Sequence, residues 1–155
     1  MMKSVSNNVE TPPLDQTEPR ALISLADHYR TAADHLYEAR VGKGLASMAP
    51  IRLCALHAIE LYLSAYVVAS GFPAKPLRAC GHDLALRATY AKGAGLNLRA
   101  RTFDHLAELT ESREYLLSRY APSLISSTSQ INRLLATLKE VSQNVTEHIG
   151  CGSTS

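Results

Sequence analysis

The sequence predicts an all-α fold, an antiparallel up-and-down bundle of four to five helices. Apolar residues recur at steps of three and four along several long segments. Strand-like alternation of useful length and internal repeats are both missing from the sequence. Short links rich in glycine and proline separate the segments, which favours antiparallel neighbours. With 155 residues and a hydrophobic fraction of 46%, the chain has enough apolar material for one core.

The amino-terminal part is expected to contain a leader and the first helix. Residues 1–18 are polar with scattered prolines, which is typical of a disordered leader. The first helix should run from about Pro19 to Arg40, since proline suits a first helical turn. Gly42 and Gly44 should end it. Its apolar stripe consists of Leu22, Leu25, Tyr29, Ala33 and Leu36.

The second helix is predicted from about Pro50 to Ser70, closed by Gly71 and Pro73. It is apolar nearly all round after Leu53, which predicts a central helix with neighbours on several sides. Its unbroken apolar stretches are far shorter than the ~20 residues that span a bilayer. Because the amino terminus also lacks the features of a signal peptide, we expect a cytoplasmic protein without a membrane partner.

The third helix should follow a loop that extends from Phe72 to Gly81. It is expected to start at His82 or Asp83 and to end near Lys92, before a glycine-rich stop. An acidic residue in the first turn favours the positive end of the helix dipole.

Two longer helices are predicted in the rest of the chain. The fourth should cover roughly Arg99–Tyr120 and end before Pro122, and the fifth roughly Leu124–Ile149 with Gly150 as a cap. The apolar seam of the fifth helix could pack into the bundle core or form part of a dimer interface. The bundle would therefore occupy residues 19–150, and residues 151–155 would be a tail.

Composition and charge restrict the possible functions. The net charge of +2 does not give the basic footprint of a dedicated duplex-DNA binder. Any nucleic-acid site must therefore be local and built from a few of the eleven arginines. Three cysteines at irregular spacing are not a disulfide framework, so reduced thiols are expected.

Zinc is an alternative that the spacing disfavours. Cys54, His57, Cys80 and His82 are suitable ligand types. The first pair, however, lies near the start of the second helix, and the second pair follows its end. We therefore expect neither a metal nor a cofactor.

Two motifs in the middle of the chain resemble a known family. The segment His57-Ala58-Ile59-Glu60-Leu61-Tyr62-Leu63-Ser64-Ala65-Tyr66 is followed by Gly71 and then by Gly81-His82-Asp83-Leu84. This pair resembles prokaryotic HEPN-domain proteins, many of which have His-x-x-Glu-Leu-x-Leu-Lys-Ala in a central helix and Gly-His-Asp-Leu opening the next. Ser64 stands where that pattern has lysine.

The resemblance implies a four- or five-helix up-and-down bundle that often forms a homodimer. It also implies RNA or nucleotide binding, and many members are ribonucleases of toxin–antitoxin or defence systems. Their partners include antitoxins and nucleotidyltransferases. The catalytic members use an Arg-x(4–6)-His motif without a metal, usually late in the chain and completed across a dimer.

Arg52 and His57 are the candidate catalytic pair, because the late arginines have no histidine at the required spacing. In this hypothesis His57 is a general acid-base, and Arg52 holds a phosphate. Five residues along a regular helix rotate the side chain by about 140°, however, so the two point to different faces. The alternative is an arginine at the start of the helix and a packed histidine.

Other polar residues are candidates for ligand binding. Glu60 shares a helix face with His57 and Ser64, and a carboxylate on a central helix needs a partner such as His57, His82 or an arginine of another helix. This group is either a structural polar pair or a ligand site. His82 and Asp83 either cap a helix or recognise an anion there.

Arg113, Arg119 and Tyr120 could form a phosphate-binding edge with an aromatic platform, or simply a solvated helix face. The leading hypothesis is a HEPN-like binding module, a homodimer that engages RNA, a nucleotide or a protein partner. The alternatives are a metal-independent ribonuclease toxin and a purely structural interaction domain.

Overall fold

The computed structural model describes residues 17–42, 44–120 and 130–151. Within these ranges the chain is all-helical, as the sequence predicts, and forms seven helices without a strand. They are α1 (Pro19–Ala39), α2 (Leu45–Ala69), α3 (Ala74–Ala79), α4 (Leu84–Gly93), α5 (Ala100–Glu111), α6 (Glu114–Tyr120) and α7 (Ile131–Cys151).

Helix α2 begins five residues earlier than the sequence predicts. Gly44 is its N-cap residue in an extended conformation, and Pro50 lies inside the helix. A proline there removes one intrahelical hydrogen bond and crowds the carbonyl of the preceding turn. The helix continues through it because Met48 and Ile51, on either side, are buried in the core. The expectation that Pro50 starts the helix is therefore wrong.

Helix α2 is the centre of the fold, as its all-round apolar character predicts. It contacts α1, α3, α4, α6 and α7, and every side chain from 61 to 67 is buried. Because α2 is longer than expected, the window Ser47–Ala69 is long and apolar enough to cross a membrane, contrary to the length argument above. Within the fold, 72% of the most apolar 18-residue stretch of this segment is buried, as in the core helix of a globular bundle.

The segment between α2 and α4 contains a helix, α3, where the sequence predicts a loop. Helix α3 has Pro73 as its N-cap and Pro76 in its first turn, a position that tolerates proline, and it buries Leu77 against the core. Helix α4 then begins at Leu84, close to the expected position. Asp83 is its N-cap, and its side chain accepts a hydrogen bond of 2.8 Å from the amide of Leu86.

The expected single helix over Arg99–Tyr120 is in fact two helices, α5 and α6. The chain breaks at Arg113, which adopts a φ of 53°, in the left-handed region. Glu114 follows immediately and is buried. The turn thus directs α6 back against α2 and brings a carboxylate into the interior.

Helix α7 packs its apolar seam against α2, so the core interpretation of that seam is confirmed. The buried members are Leu134, Leu138, Val141 and Val145. The helix runs to Cys151, so Gly150 lies inside it and does not cap it. Residues 1–16 of the predicted leader, Pro122, the expected start at Leu124 and residues 152–155 of the tail lie outside the described residues.

Candidate functional site

A small surface cleft lies where α2, α6 and the start of α4 meet. It is lined by Leu53, Leu56, His57, Glu60, His82, Leu84, Tyr115 and Arg119, and we term it the His82 cleft. Its volume is about 10 Å³, which is room for roughly one water molecule. Three of the residues singled out in the sequence as ligand-binding candidates, together with His57, therefore come together here.

Glu60 is the polar centre of the His82 cleft. Its Oε2 lies 3.0 Å from Nδ1 of His82, and its Oε1 lies 3.8 Å from Nη2 of Arg87. The side chain of His82 is 44% exposed, so its ring is held by the carboxylate while one side remains open to solvent. The sequence-based expectation that Glu60 requires a partner is thereby met, and the partners are a histidine and an arginine of another segment.

Arg87 is a residue of this site that the sequence analysis did not identify. Its side chain is only 2% exposed, and besides approaching Glu60 it donates to Oγ of Ser64, at 2.7 Å, and to the carbonyl oxygen of Gly81. The position of Arg87 in the sequence does indicate that it is buried. Arg87 lies on the same face of α4 as Leu84 and the buried alanines of that helix, so any arginine there must be buried and paired.

The imidazole of His57 is half-buried at the edge of the cleft. Burial lowers its pKa, and Arg119 and His82 lower it further, although Glu60 acts in the opposite direction. Its ring packs edge-on against Tyr29 with 4.5 Å between the ring centroids. Within the described part of the chain, its buried Nδ1 has no hydrogen-bond partner. The contacts of His57 are thus mainly those of a packed side chain at the edge of the cleft.

Helix α6 contributes the aromatic and cationic side of the His82 cleft. The ring of Tyr115 lies 4.9 Å from that of His82, with an angle of 34° between the planes. Arg119, one turn later, lines the cleft and is exposed to solvent. The neighbouring Tyr120 is 75% exposed but does not line the cleft. Arg113 is exposed at the helix break and does not line it either.

Arg52 is not brought to the His82 cleft. It pairs with Glu114 of α6, with 3.4 Å between Nη1 and Oε2, and the two side chains are 5% and 2% exposed. Burial lowers the pKa of Arg52, and the attraction of Glu114 partly offsets that effect. The structure therefore separates Arg52 from His57, in agreement with the helical rotation between them.

Metal-ligating residues do not gather in the ranges that the structure describes. No group of three or more His, Cys, Asp or Glu side chains there could hold a metal ion. Cys54 and Cys80 are free thiols whose pKa is raised by burial.

The His82 cleft can offer an incoming group an imidazole, an aromatic face and an exposed guanidinium. The carboxylate of Glu60 faces two guanidinium groups, those of Arg87 and Arg119, so positive charge is in slight excess. No family model, curated protein or solved structure matches the chain.

Proposed function

We propose that this protein is a HEPN-like binding module that engages single-stranded RNA at the His82 cleft. One observation carries the proposal: the two motifs that resemble the family meet in space, through the contact of 3.0 Å between Glu60 and His82. The departure from the family pattern is compensated locally. At the position of the expected lysine, Ser64 accepts a hydrogen bond from Arg87, which supplies a cation from another helix.

The side chains around the cleft suit an unpaired nucleotide. Aromatic rings stack on any base, and an arginine contacts the phosphate. Tyr120 provides an exposed ring next to Arg119, and the stacked pair of His82 and Tyr115 lies on the same side of α6 as Arg119. A space of about 10 Å³ is too small to enclose a whole nucleotide, which favours a strand lying across the surface.

The ribonuclease alternative that uses Arg52 and His57 gains no support from their surroundings. A phosphate would have to displace Glu114 from a buried ion pair in order to reach Arg52. We therefore propose binding without cleavage.

Homodimer formation is a further part of the proposal. Leu25 and Leu36 are both exposed and lie three turns apart on one face of α1. Leu116 of α6 is exposed as well. Such apolar side chains could pack against a second copy in the cytoplasm, or against an antitoxin or nucleotidyltransferase. Analytical ultracentrifugation of the full chain would distinguish a dimer from a monomer.

The test of the cleft uses a fluorescently labelled oligouridylate of about 20 nucleotides, longer than the ~4–16 that one single-strand-binding fold covers. Tyr120→Ala should weaken binding at least fivefold, because stacking one base contributes about 1–3 kcal/mol. Arg119→Gln should also weaken it, whereas Lys75→Gln, an exposed control on α3, should not. Unchanged binding in both variants, Arg119→Gln in the cleft and Tyr120→Ala beside it, would refute the proposed function. A denaturing gel of the same samples should show intact RNA.

A further inference from the structure

Two cavities lie between α7 and the start of α5, away from the His82 cleft. One has a volume of about 560 Å³ and the other of about 330 Å³. They share Arg99, Ala136 and Glu140, so together they form one extended depression, which we term the α5–α7 groove. Most of its lining residues are exposed to solvent, so the groove is open along its length.

The α5–α7 groove concentrates positive charge. Its lining carries four cations, Arg99, Arg101, Arg133 and Lys139, against the single carboxylate of Glu140. When Glu108, which pairs with Arg133 next to the groove, is counted as well, an excess of two positive charges remains. The remaining lining residues with polar side chains are uncharged, and among the described residues no aromatic side chain lines the groove.

Two of the four cations are held in place by carboxylates. Nε and Nη2 of Arg99 donate to Oε2 of Glu140 at 2.9 and 2.8 Å, and Arg133 donates to Glu108 through both terminal nitrogens. A guanidinium has five N–H donors, so each pair leaves donors that can contact a ligand. The pairing orders these side chains in advance, which lowers the entropic cost of binding.

The other two cations, Arg101 and Lys139, have side chains without a hydrogen bond or ion pair in the described ranges. Both are exposed, Arg101 on the first turn of α5 and Lys139 in the middle of α7. An anion that binds Arg101 or Lys139 would therefore replace only water, because it need not displace a carboxylate of the protein.

We propose that the α5–α7 groove binds the sugar-phosphate backbone of single-stranded RNA without reading its bases. Cationic and amide side chains contact phosphates, whereas discrimination between bases or stacking on them requires base-edge contacts or aromatic faces. The groove has the first set and lacks the second. The inference rests on the proposed function, because RNA is the ligand of both sites, but it adds salt-dependent phosphate contacts on a second surface.

The test compares two strands of about 20 nucleotides, an oligouridylate and an abasic strand with the same backbone. Binding to the full chain is measured by fluorescence anisotropy between about 50 and 200 mM salt. Each phosphate contact contributes about 0.7 to the slope of log K against log salt for single strands, so Arg101→Gln with Lys139→Gln should lower the slope by about 1.4. Between about 50 and 200 mM salt, the affinity of this double variant should therefore fall by a factor roughly seven times smaller than the factor for the wild type.

The control variant is Lys75→Gln with Arg78→Gln on α3. It removes two exposed positive charges, as the groove variant does, but at a site outside the groove. Its slope should equal that of the wild type for both strands. Equal slopes for the groove variant and the control variant would overturn the inference, as would an abasic strand that does not bind. The proposed function is judged separately by Tyr120→Ala, which should remove the preference for the oligouridylate over the abasic strand. If neither strand binds the wild type, both proposals are wrong.

Discussion

The buried ion pair between Arg52 and Glu114 permits the sharpest test of how α6 is held against α2. Glu114→Ala would leave the guanidinium of Arg52 in the interior without this carboxylate, 5% exposed. The Nε atom of Arg52 is already buried without a hydrogen-bond partner in the described ranges, so little can replace the lost contact. Breaking a buried pair in this way costs about 3–5 kcal/mol.

That loss is large enough to be measured by thermal unfolding. For a domain of this size, each kcal/mol lowers the Tm by about 2–4 °C, so a fall of about 6–20 °C is expected. Urea unfolding followed by circular dichroism would give the corresponding change in the free energy of unfolding.

Two control variants separate the buried charge from other effects of the substitution. Arg52→Met with Glu114→Leu removes both charges and should recover most of the stability, because apolar replacement of a buried pair is often neutral or stabilising. Glu108→Ala breaks the exposed pair with Arg133 and should cost far less. If Glu114→Ala destabilised the protein no more than Glu108→Ala, the reasoning from burial would be refuted.

Two further predictions concern other buried polar side chains. Burial, with a smaller contribution from Arg133, lowers the pKa of His105 to about 4. Between about pH 6.5 and 4 the unfolded chain therefore binds more protons than the folded chain, so the Tm should fall as the pH falls through this window. In His105→Leu the Tm should fall less steeply as the pH falls. A pH dependence equal to that of the wild type would contradict the assignment of this effect to His105. Ser64→Lys would place a second cation beside the buried Arg87 and should reduce the free energy of unfolding by at least about 2 kcal/mol in urea titrations. Ser64→Ala removes only the hydrogen bond and should reduce the free energy of unfolding by less. Equal reductions in the two variants would show that the added charge is not the cause.

Much of the helical framework was predictable because it depends on local patterns. The first helix was expected from Pro19 to Arg40 and is observed as Pro19–Ala39, since both a helix-starting proline and an apolar stripe mark it. The seam of α7 and the central position of α2 were predictable for the same reason. Asp83 was correctly placed at the start of α4.

The interruptions of the framework were not predictable in this way. The six-residue α3 buries Leu77 and the early turns of α2 bury Met48, so both are stabilised by packing against the core. The break at Arg113 requires a left-handed residue that is not glycine, and no local signal in the sequence marks it.

The candidate site shows the same division. Helical spacing placed Glu60 and His57 on one face and showed that the carboxylate needed a partner. It left open whether that partner was a histidine or an arginine, and the structure supplies both, His82 and Arg87. The spacing indicated that Arg52 and His57 point to different faces, but it did not identify Glu114 as the partner of Arg52.

The sequence by itself determined that the chain is helical, which faces of its helices are apolar and that the helix before Gly71 is central. Only the tertiary structure decided which charges meet. Periodicity is a property of one helix, with a repeat of about 3.6 residues, and can be read along the chain. The pairing of Glu60 with His82, or of Arg52 with Glu114, depends on the rotation and offset of one helix against another. Those are set by the packing of the whole core.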